Sequence, residues 1–309
     1  MRILKRSKWM LWPAGALVTA MALAGCGSGS GESTPSANLA SGPARASVKP
    51  ITKLMVLVVE NHSLSEMRAD MPYLAALSNR YGYANHYKAL AHPSLPNYLG
   101  IASGSTHGIR DDSDPVSHKL KSATVFGQAI KAGKTAKVYA DGMPTNCALH
   151  NGGTGYAVRH NPWTYFVGER TQCKKHDVPL AALTGDIAHG RLPNAGMIVP
   201  NLCHDAHDCP LANADAFIKK WVTKLVTGPD WKAGRLAIVI TADEDDRTQG
   251  NTILTTVVRP HQTPHVVTAP LNHLSLTRLY DDVLGVGYLL GARTAHSMTN
   301  AFHVPVAKR

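Results

Sequence analysis

A serine flanked by prolines, His92-Pro93-Ser94-Leu95-Pro96-Asn97, precedes the apolar run Tyr98-Leu99-Gly100-Ile101-Ala102. Proline suits the first turn of a helix, because its φ is already set and its missing N–H loses no partner there. Ser94 is therefore expected at a helix start, where free backbone N–H groups can face an anion. A hydroxyl in that place could attack phosphorus while the N–H groups hold the phosphoryl oxygens. The same residue type is also a common N-cap. Three other stretches carry complementary chemistry: Glu60-Asn61, Asp243-Glu244-Asp245-Asp246 and His204-Asp205-Ala206-His207-Asp208. Carboxylates and an amide oxygen suit a hard divalent cation, whereas histidines suit a borderline metal or a phosphoryl group. Read singly, each has a plainer meaning: a helix cap at 60–61, a solvated turn at 243–246, a loop with surface histidines at 204–208.

What must position these groups is a set of strands. Lys53 to Val59 and Leu236 to Ile240 are continuous apolar runs, as expected of strands buried on both faces of a parallel sheet. Gly196 to Val199 reads as a shorter strand ending at Pro200, and Ala136 to Ala140 and Thr252 to Val258 as two more. Each acidic or histidine-bearing stretch follows directly on one of these strands, where open α/β sheets form their sites. Helices are expected over Met71–Arg80, 94–103, Thr124–Lys131 and Asn272–Leu284. The period is clearest at Leu211–Val226, entered through Pro210 and stopped at Gly228-Pro229. Strand–helix alternation of this kind predicts a three-layer αβα sandwich around a mostly parallel sheet. Residues 141–195 are rich in Gly, Asn and Pro and read as long loops or a small cap or insertion.

The motifs Val58-Val59-Glu60-Asn61-His62-Ser63, His92-Pro93-Ser94-Leu95-Pro96-Asn97-Tyr98 and Thr241-Ala242-Asp243-Glu244 resemble, in this order, the bacterial phosphoesterase family. That family holds acid phosphatases and phosphocholine-type phospholipases C within the alkaline-phosphatase-like superfamily. The likeness spans about residues 53–290 and is nearest to secreted actinobacterial acid phosphatases, some acting on phosphoinositide monoesters. It implies a divalent metal ion held by Glu60, Asn61, Asp243 and Glu244, with Ser94 as metal-bound nucleophile and Asn97 as a phosphate contact. Asn272-His273-Leu274-Ser275 resembles a late motif whose histidine contacts phosphate, and His204, Asp205 and His207 resemble a middle motif that binds substrate. Asp245-Asp246 stands where glycine commonly follows the acidic pair. The implied reaction is phosphomonoester hydrolysis through a phosphoserine, with His207 or His273 protonating the leaving oxygen. A phospholipase C-like phosphodiesterase is the alternative within enzymes. A solute-binding lipoprotein is the alternative of another class, and it would require two similar lobes that the sequence does not contain.

The 309 residues, 44% hydrophobic, suffice for one large domain. Residues 1–25 read as a signal peptide, with Arg2, Lys5, Arg6 and Lys8 ahead of an apolar segment and a Leu23-Ala24-Gly25-Cys26 boundary resembling a bacterial lipobox. Cleavage before Cys26 and lipidation of that cysteine are expected, then a Gly/Ser/Pro-rich tether over 26–50 and the catalytic domain over 51–309. The chain is thus expected outside the cytoplasmic membrane, lipid-anchored or secreted, and monomeric. The formal charge is +11, four units of which belong to the leader, leaving +7. Its basic residues are scattered, which argues against nucleic acid and fits a phosphorylated small molecule or phospholipid headgroup. Cys147, Cys173, Cys203 and Cys209 form an even set in an exported chain, so two disulfides are expected. Of the three connectivities, 147–173 with 203–209 joins the nearest neighbours. A zinc site from Cys203, His204, His207 and Cys209 is the competing reading.

Overall fold

The computed structural model describes residues 49–308; the expectations for the leader, the lipobox at Cys26 and most of the tether fall outside them. The chain runs β1 (Lys53–Val59), α1 (Leu64–Asp70), α2 (Pro72–Tyr81), β2 (Tyr83–Ala84), β3 (Tyr87–Lys88), α3 (Ser94–Ser103), α4 (Val125–Lys131), β4 (Ala136–Ala140). It continues through α5 (Arg170–His176), β5 (Asp177–Pro179), α6 (Ala182–Ala188), β6 (Ala195–Val199), α7 (Leu211–Thr227), α8 (Pro229–Lys232), β7 (Leu236–Ala242), β8 (Thr255–Val258), β9 (Val266–Val267), β10 (Leu271–Asn272) and α9 (His273–Leu284). Eight strands form one sheet in the order β5-β4-β6-β1-β7-β8-β2-β9. β5 through β7 are parallel, and β8 turns antiparallel against β7.

β1 and β7 lie side by side at the centre and are almost wholly buried, which is why their sequences are continuous apolar runs rather than alternating ones. Their register pairs Val59 with Ala242, so Glu60 and Asp243 leave the sheet at the same level. One further ladder bond, Asp243 N–H to Val59 C=O at 2.9 Å, carries the pairing past the strand ends. α3, α4 and α9 pack together and against β1, β4 and β6; α1, α2, α7 and α8 form a second group packed on β7 and β8. The result is an α/β sandwich with its acid-bearing loops at one edge.

All ten residues of α3 are buried. Thr277 of α9 donates its hydroxyl to the Gly100 carbonyl at 2.6 Å, fixing α3 against α9. α9 itself starts with a capping box, the Asn272 side chain accepting from the Ser275 amide while Ser275 Oγ accepts from the Asn272 amide. α3 ends at Gly104 in a left-handed conformation (φ 77°), where a Cβ would also stand 2.9 Å from the Leu289 carbonyl oxygen. A helix this tightly held gives its first residue a fixed position.

The stretch 141–195 differs from the expected loops or cap. It contains three short 3₁₀ turns besides α5, β5 and α6, and β5 pairs with β4 as an edge strand of the main sheet. Periodicity was too short in each piece to read from sequence. Cys147 is joined to Cys173 and Cys203 to Cys209, so the zinc reading loses two of its four ligands. On loop-closure entropy the first bridge, spanning 26 residues, stabilises by about 3.5 kcal/mol and the second by about 2 kcal/mol.

Beside the first bridge, burial pushes the Asp177 carboxyl up to about 8, against the pull of the Asn161 amide and the Arg170 guanidinium. Between the ordinary carboxylate range and that value the folded chain keeps a proton that the unfolded chain has lost. Stability from the neutral acid is therefore full at acid pH and declines as pH rises toward 8. Asp177→Asn should gain melting temperature over the parent progressively between pH 5 and pH 8. A difference that stays constant across that range would contradict the assignment.

Candidate active site

β1 delivers Glu60, fully buried, with its amide bonded to the Asp205 carbonyl at 2.9 Å. Asn61 then takes a left-handed turn (φ 55°), a conformation asparagine tolerates better than most residues. That turn aims its amide at Asp243 Oδ1, 3.0 Å away, and the Glu244 amide reaches the same oxygen at 2.7 Å. Asp243 Oδ2 is buried and, among the described residues, has no hydrogen-bond partner.

Ser94 is the first residue of α3, and Pro93 occupies the cap position. Its hydroxyl therefore does not cap the helix; it donates to Glu60 Oε1. Tyr98, one turn on, donates its hydroxyl to Glu60 Oε2 at 3.3 Å. The expected nest of free amides is smaller than the sequence suggested. The Leu95 amide already donates to Asp112 Oδ1 at 2.9 Å, and Pro96 has none to give.

His160 completes the arrangement. It is fully buried, with Nε2 3.1 Å from Glu60 Oε1 and Nδ1 3.1 Å from Asp205 Oδ2, and its ring stacks on Tyr98 at 5.0 Å. Burial alone would lower its pKa, but the two facing carboxylates push it up to about 9. Burial would likewise raise Glu60, and His160 with the Ser94 hydrogen bond holds it below the usual carboxylate range. The pair is therefore a buried carboxylate and imidazolium. Among the described residues Asp243 has no such cation. Burial, then the charges of Glu60 and Glu244, push its carboxyl well above the ordinary range. Burial also raises Glu244, to about 7, against the pull of His92.

Glu60, Ser94, Asn97, Asp205, Asp243 and Glu244 thus converge, but some occupy other places than expected. Asn97 is saturated: Oδ1 accepts from the Leu90 and Ala91 amides, and Nδ2 donates to the Ala91 carbonyl and to Glu244 Oε2. It braces the acid pair and has nothing left for a phosphate. Asp205 faces His160, not open space. His273 lies wholly buried behind Asp243, its Nε2 donating to the Asp243 carbonyl at 2.6 Å and its Nδ1 accepting from Tyr87. Burial pushes it down to about 4, so this histidine is a neutral strut whose one N–H is committed to the Asp243 carbonyl. His204 turns to Asp141 Oδ2 at 2.6 Å and stacks on Phe217. Of the predicted histidines His207 comes to His160, its ring 6.2 Å from that ring and its Nε2 accepting from Arg159 at 3.1 Å. The side chain of Asp245, whose place beside the acid pair the sequence left open, accepts from the Arg247, Gln249 and Asn251 amides and shapes the loop.

Sequence reasoning missed His160, Arg159, Tyr98 and His92. His92 sits between Glu244 Oε1 (2.9 Å) and Asp245 Oδ1 (3.2 Å). His92 and Tyr98 lie in the serine motif itself and could have been weighed by helical spacing from Ser94. His160 follows no strand, and only the tertiary fold brings it to Glu60.

Glu60, His160 and Asp205 form a buried cluster whose donor atoms lie within 4.8 Å of one another and could hold a metal ion if His160 gave up its second proton. The unpartnered Asp243 Oδ2 beside Glu60 points to a missing positive charge on this side as well, and hard carboxylate donors suit a divalent cation.

The fold is shared with the alkaline phosphatase superfamily. A Vibrio parahaemolyticus protein of that superfamily aligns with TM-score 0.53 at 12% identity, over 77% of this chain and 67% of its own. Phosphonate monoester hydrolase from Silicibacter pomeroyi aligns with TM-score 0.54 at 12% identity, over 84% and 78%. A family model described as the Phosphoesterase family matches residues 52–275, and the chain belongs to that family. It is a phosphoric ester hydrolase. Phosphatidylinositol-3-phosphatase of Mycobacterium tuberculosis is 25% identical over 257 residues, 81% of this chain and 84% of the relative. Phosphate-repressible acid phosphatase of Penicillium chrysogenum is 26% identical over 169 residues, 52% of this chain but only 40% of that longer protein.

Because His160 offsets two buried carboxylates, His160→Gln should cost about 3–5 kcal/mol of stability, the range for an orphaned buried charge. Adding Asp205→Asn should restore some of that loss. Equal melting of the parent and His160→Gln in thermal denaturation would refute the charge assignment.

Proposed function

We propose that the chain is a metal-dependent phosphomonoesterase working through a phosphoserine on Ser94. The observation that carries this reading is a buried serine hydroxyl donating to Glu60 on the same edge as the unpartnered Asp243 Oδ2. Glu60, Asn61, Asp243 and Glu244 would hold a divalent cation next to Ser94. Such an ion neutralises phosphoryl charge and eases ionisation of a neighbouring hydroxyl. Ser94 Oγ attacks phosphorus in line while its proton passes to Glu60 Oε1, and the ester oxygen departs with the bond's electron pair. His160, fixed by Asp205, keeps Glu60 oriented toward the serine. Arg159 would turn from His207 to face phosphoryl oxygens, and His207, freed of that contact and protonated, would give its proton to the leaving oxygen. Water then cleaves the phosphoserine.

The substrate class is an organic phosphate monoester, and the mycobacterial relative's name makes a phosphoinositide-type headgroup the first to try. We further propose the domain order already given, with export and a lipid on Cys26 holding residues 51–309 outside the membrane. Cys26→Ala should remain unprocessed or leave the membrane fraction; parental processing and fractionation would sink the anchoring proposal.

Ser94→Ala should lower kcat on a chromogenic monoester by on the order of 10⁴-fold or more while the protein melts like the parent. Asp243→Asn should weaken metal binding and recover partly with added divalent cation, and a chelator should silence the parent. Parental turnover in folded Ser94→Ala would overturn the mechanism. Faster turnover of a diester than of a monoester would move the enzyme to the phosphodiesterase class.

A further inference from the structure

β8 runs against β7, so its last residue, Val258, lies opposite Ile238 near the start of β7. Arg259 follows, at the edge of the sheet opposite the acid loops. Asp243 lies five residue steps beyond Ile238, about 16 Å along the strand direction. At this far edge a groove of about 600 Å³ opens between the end of α2, α8 and the segment after β8. Arg80, Lys232, Arg259 and His261 line it together with Tyr81 and Trp231, and among the described residues none of those lining it is acidic.

Arg259 is the unusual member. It is only 7% exposed, and among the described residues no carboxylate pairs with it. Two of its nitrogens donate to backbone carbonyls of Pro260 (3.2 Å) and His303 (2.8 Å), and its Nε is buried without a partner among the described residues. A guanidinium withdrawn from water without an anion is costly, and the fork it presents matches phosphate geometry. Asp230, the acid of the neighbouring α8, is already engaged by Lys53 at 3.0 Å and Arg235 at 2.6 Å. Gln262 adds a buried amide oxygen without a donor among the described residues, its Nε2 being committed to the Tyr81 carbonyl. Tyr81 and Trp231 meet edge to face at 6.4 Å and give one wall an apolar, aromatic surface.

We propose that this groove is a second anion site, binding the phosphate of an organic phosphate. The phosphate sits on Arg259 with Arg80 and Lys232 at the rim, the organic portion lies against Tyr81 and Trp231, and a ligand hydroxyl donates to Gln262 Oε1. The same chemistry is offered by a soluble phosphorylated polyol and by an anionic phospholipid headgroup. The site is independent of Ser94 and of the acid loops.

The test uses the Ser94→Ala chain with chelator present, so that the catalytic edge neither turns over nor holds metal. Glycerol phosphate is titrated calorimetrically, and co-sedimentation is measured with phosphatidylcholine vesicles with and without phosphatidylglycerol. Arg80 and Lys232 are exposed rim residues, so Arg80→Ala/Lys232→Ala should fold normally and keep parental turnover when Ser94 is present. It should weaken binding about 30-fold, by the usual contribution of a basic residue at an anionic surface. Arg259→Lys, which keeps the charge but loses the fork, should weaken it too; if that variant does not fold, the rim pair decides. Rim-dependent binding of glycerol phosphate identifies a soluble ligand, and rim-dependent binding of anionic vesicles alone identifies a headgroup. No binding of either probe, or binding that the rim pair leaves unchanged, overturns the proposal.

Discussion

One buried carboxylate organises the catalytic edge. Glu60 takes the Ser94 hydroxyl on one oxygen and the Tyr98 hydroxyl on the other, and His160 lies within ion-pair distance of the first. A carboxylate in that place costs several kcal/mol unless it is compensated. The compensation comes from segments far apart in sequence: β1 for the acid, α3 for the two hydroxyls, a 3₁₀ turn for the imidazolium, the loop after β6 for Asp205. The chain Asp205–His160–Glu60–Ser94 has the layered logic of an activated nucleophile held by a group that is itself held. Here the group touching the hydroxyl is a carboxylate, and the imidazole stands behind it.

That constraint explains why so much polar chemistry is spent on bracing. Asn97, His92 and His273 each touch the acidic pair or its backbone, and each is engaged on both sides. Of the four oxygens of the acid pair they leave Asp243 Oδ2 alone without a partner among the described residues. Just beyond the acid pair, Asp245 ties its loop through three amides, while Asn251 reaches the Ala91 carbonyl at 3.1 Å beside the serine motif.

The central strands, the long helices and the strand-end acids were legible because buried parallel strands and amphipathic helices have strong periods. β1, β4, α3 and α7 lie within a residue of where the sequence put them. The pieces between 141 and 195 were not, since 3₁₀ turns and a three-residue strand are shorter than any period. The site was only partly legible, for the same reason. Glu60, Asn61, Asp243 and Glu244 follow strands, whereas His160 is recruited by tertiary packing. Sequence also could not distinguish a histidine facing a substrate from His273, whose neutral ring is a wedge behind the sheet edge. Nor could it show that Asp112 would take the Leu95 amide.

The bridge between Cys147 and Cys173 reaches further than its own loop. The Cys147 amide donates to the Asp177 carbonyl, and the Asp177 carboxyl accepts from Asn161, the residue after His160. Opening that bridge would loosen the segment that delivers His160 to its place between Glu60 and Asp205. A chain still in a reducing compartment would then carry its acids without their counter-charge, and Ser94 without a fixed partner. The bridge would thus fix the counter-charge of the acids as well as close its own loop.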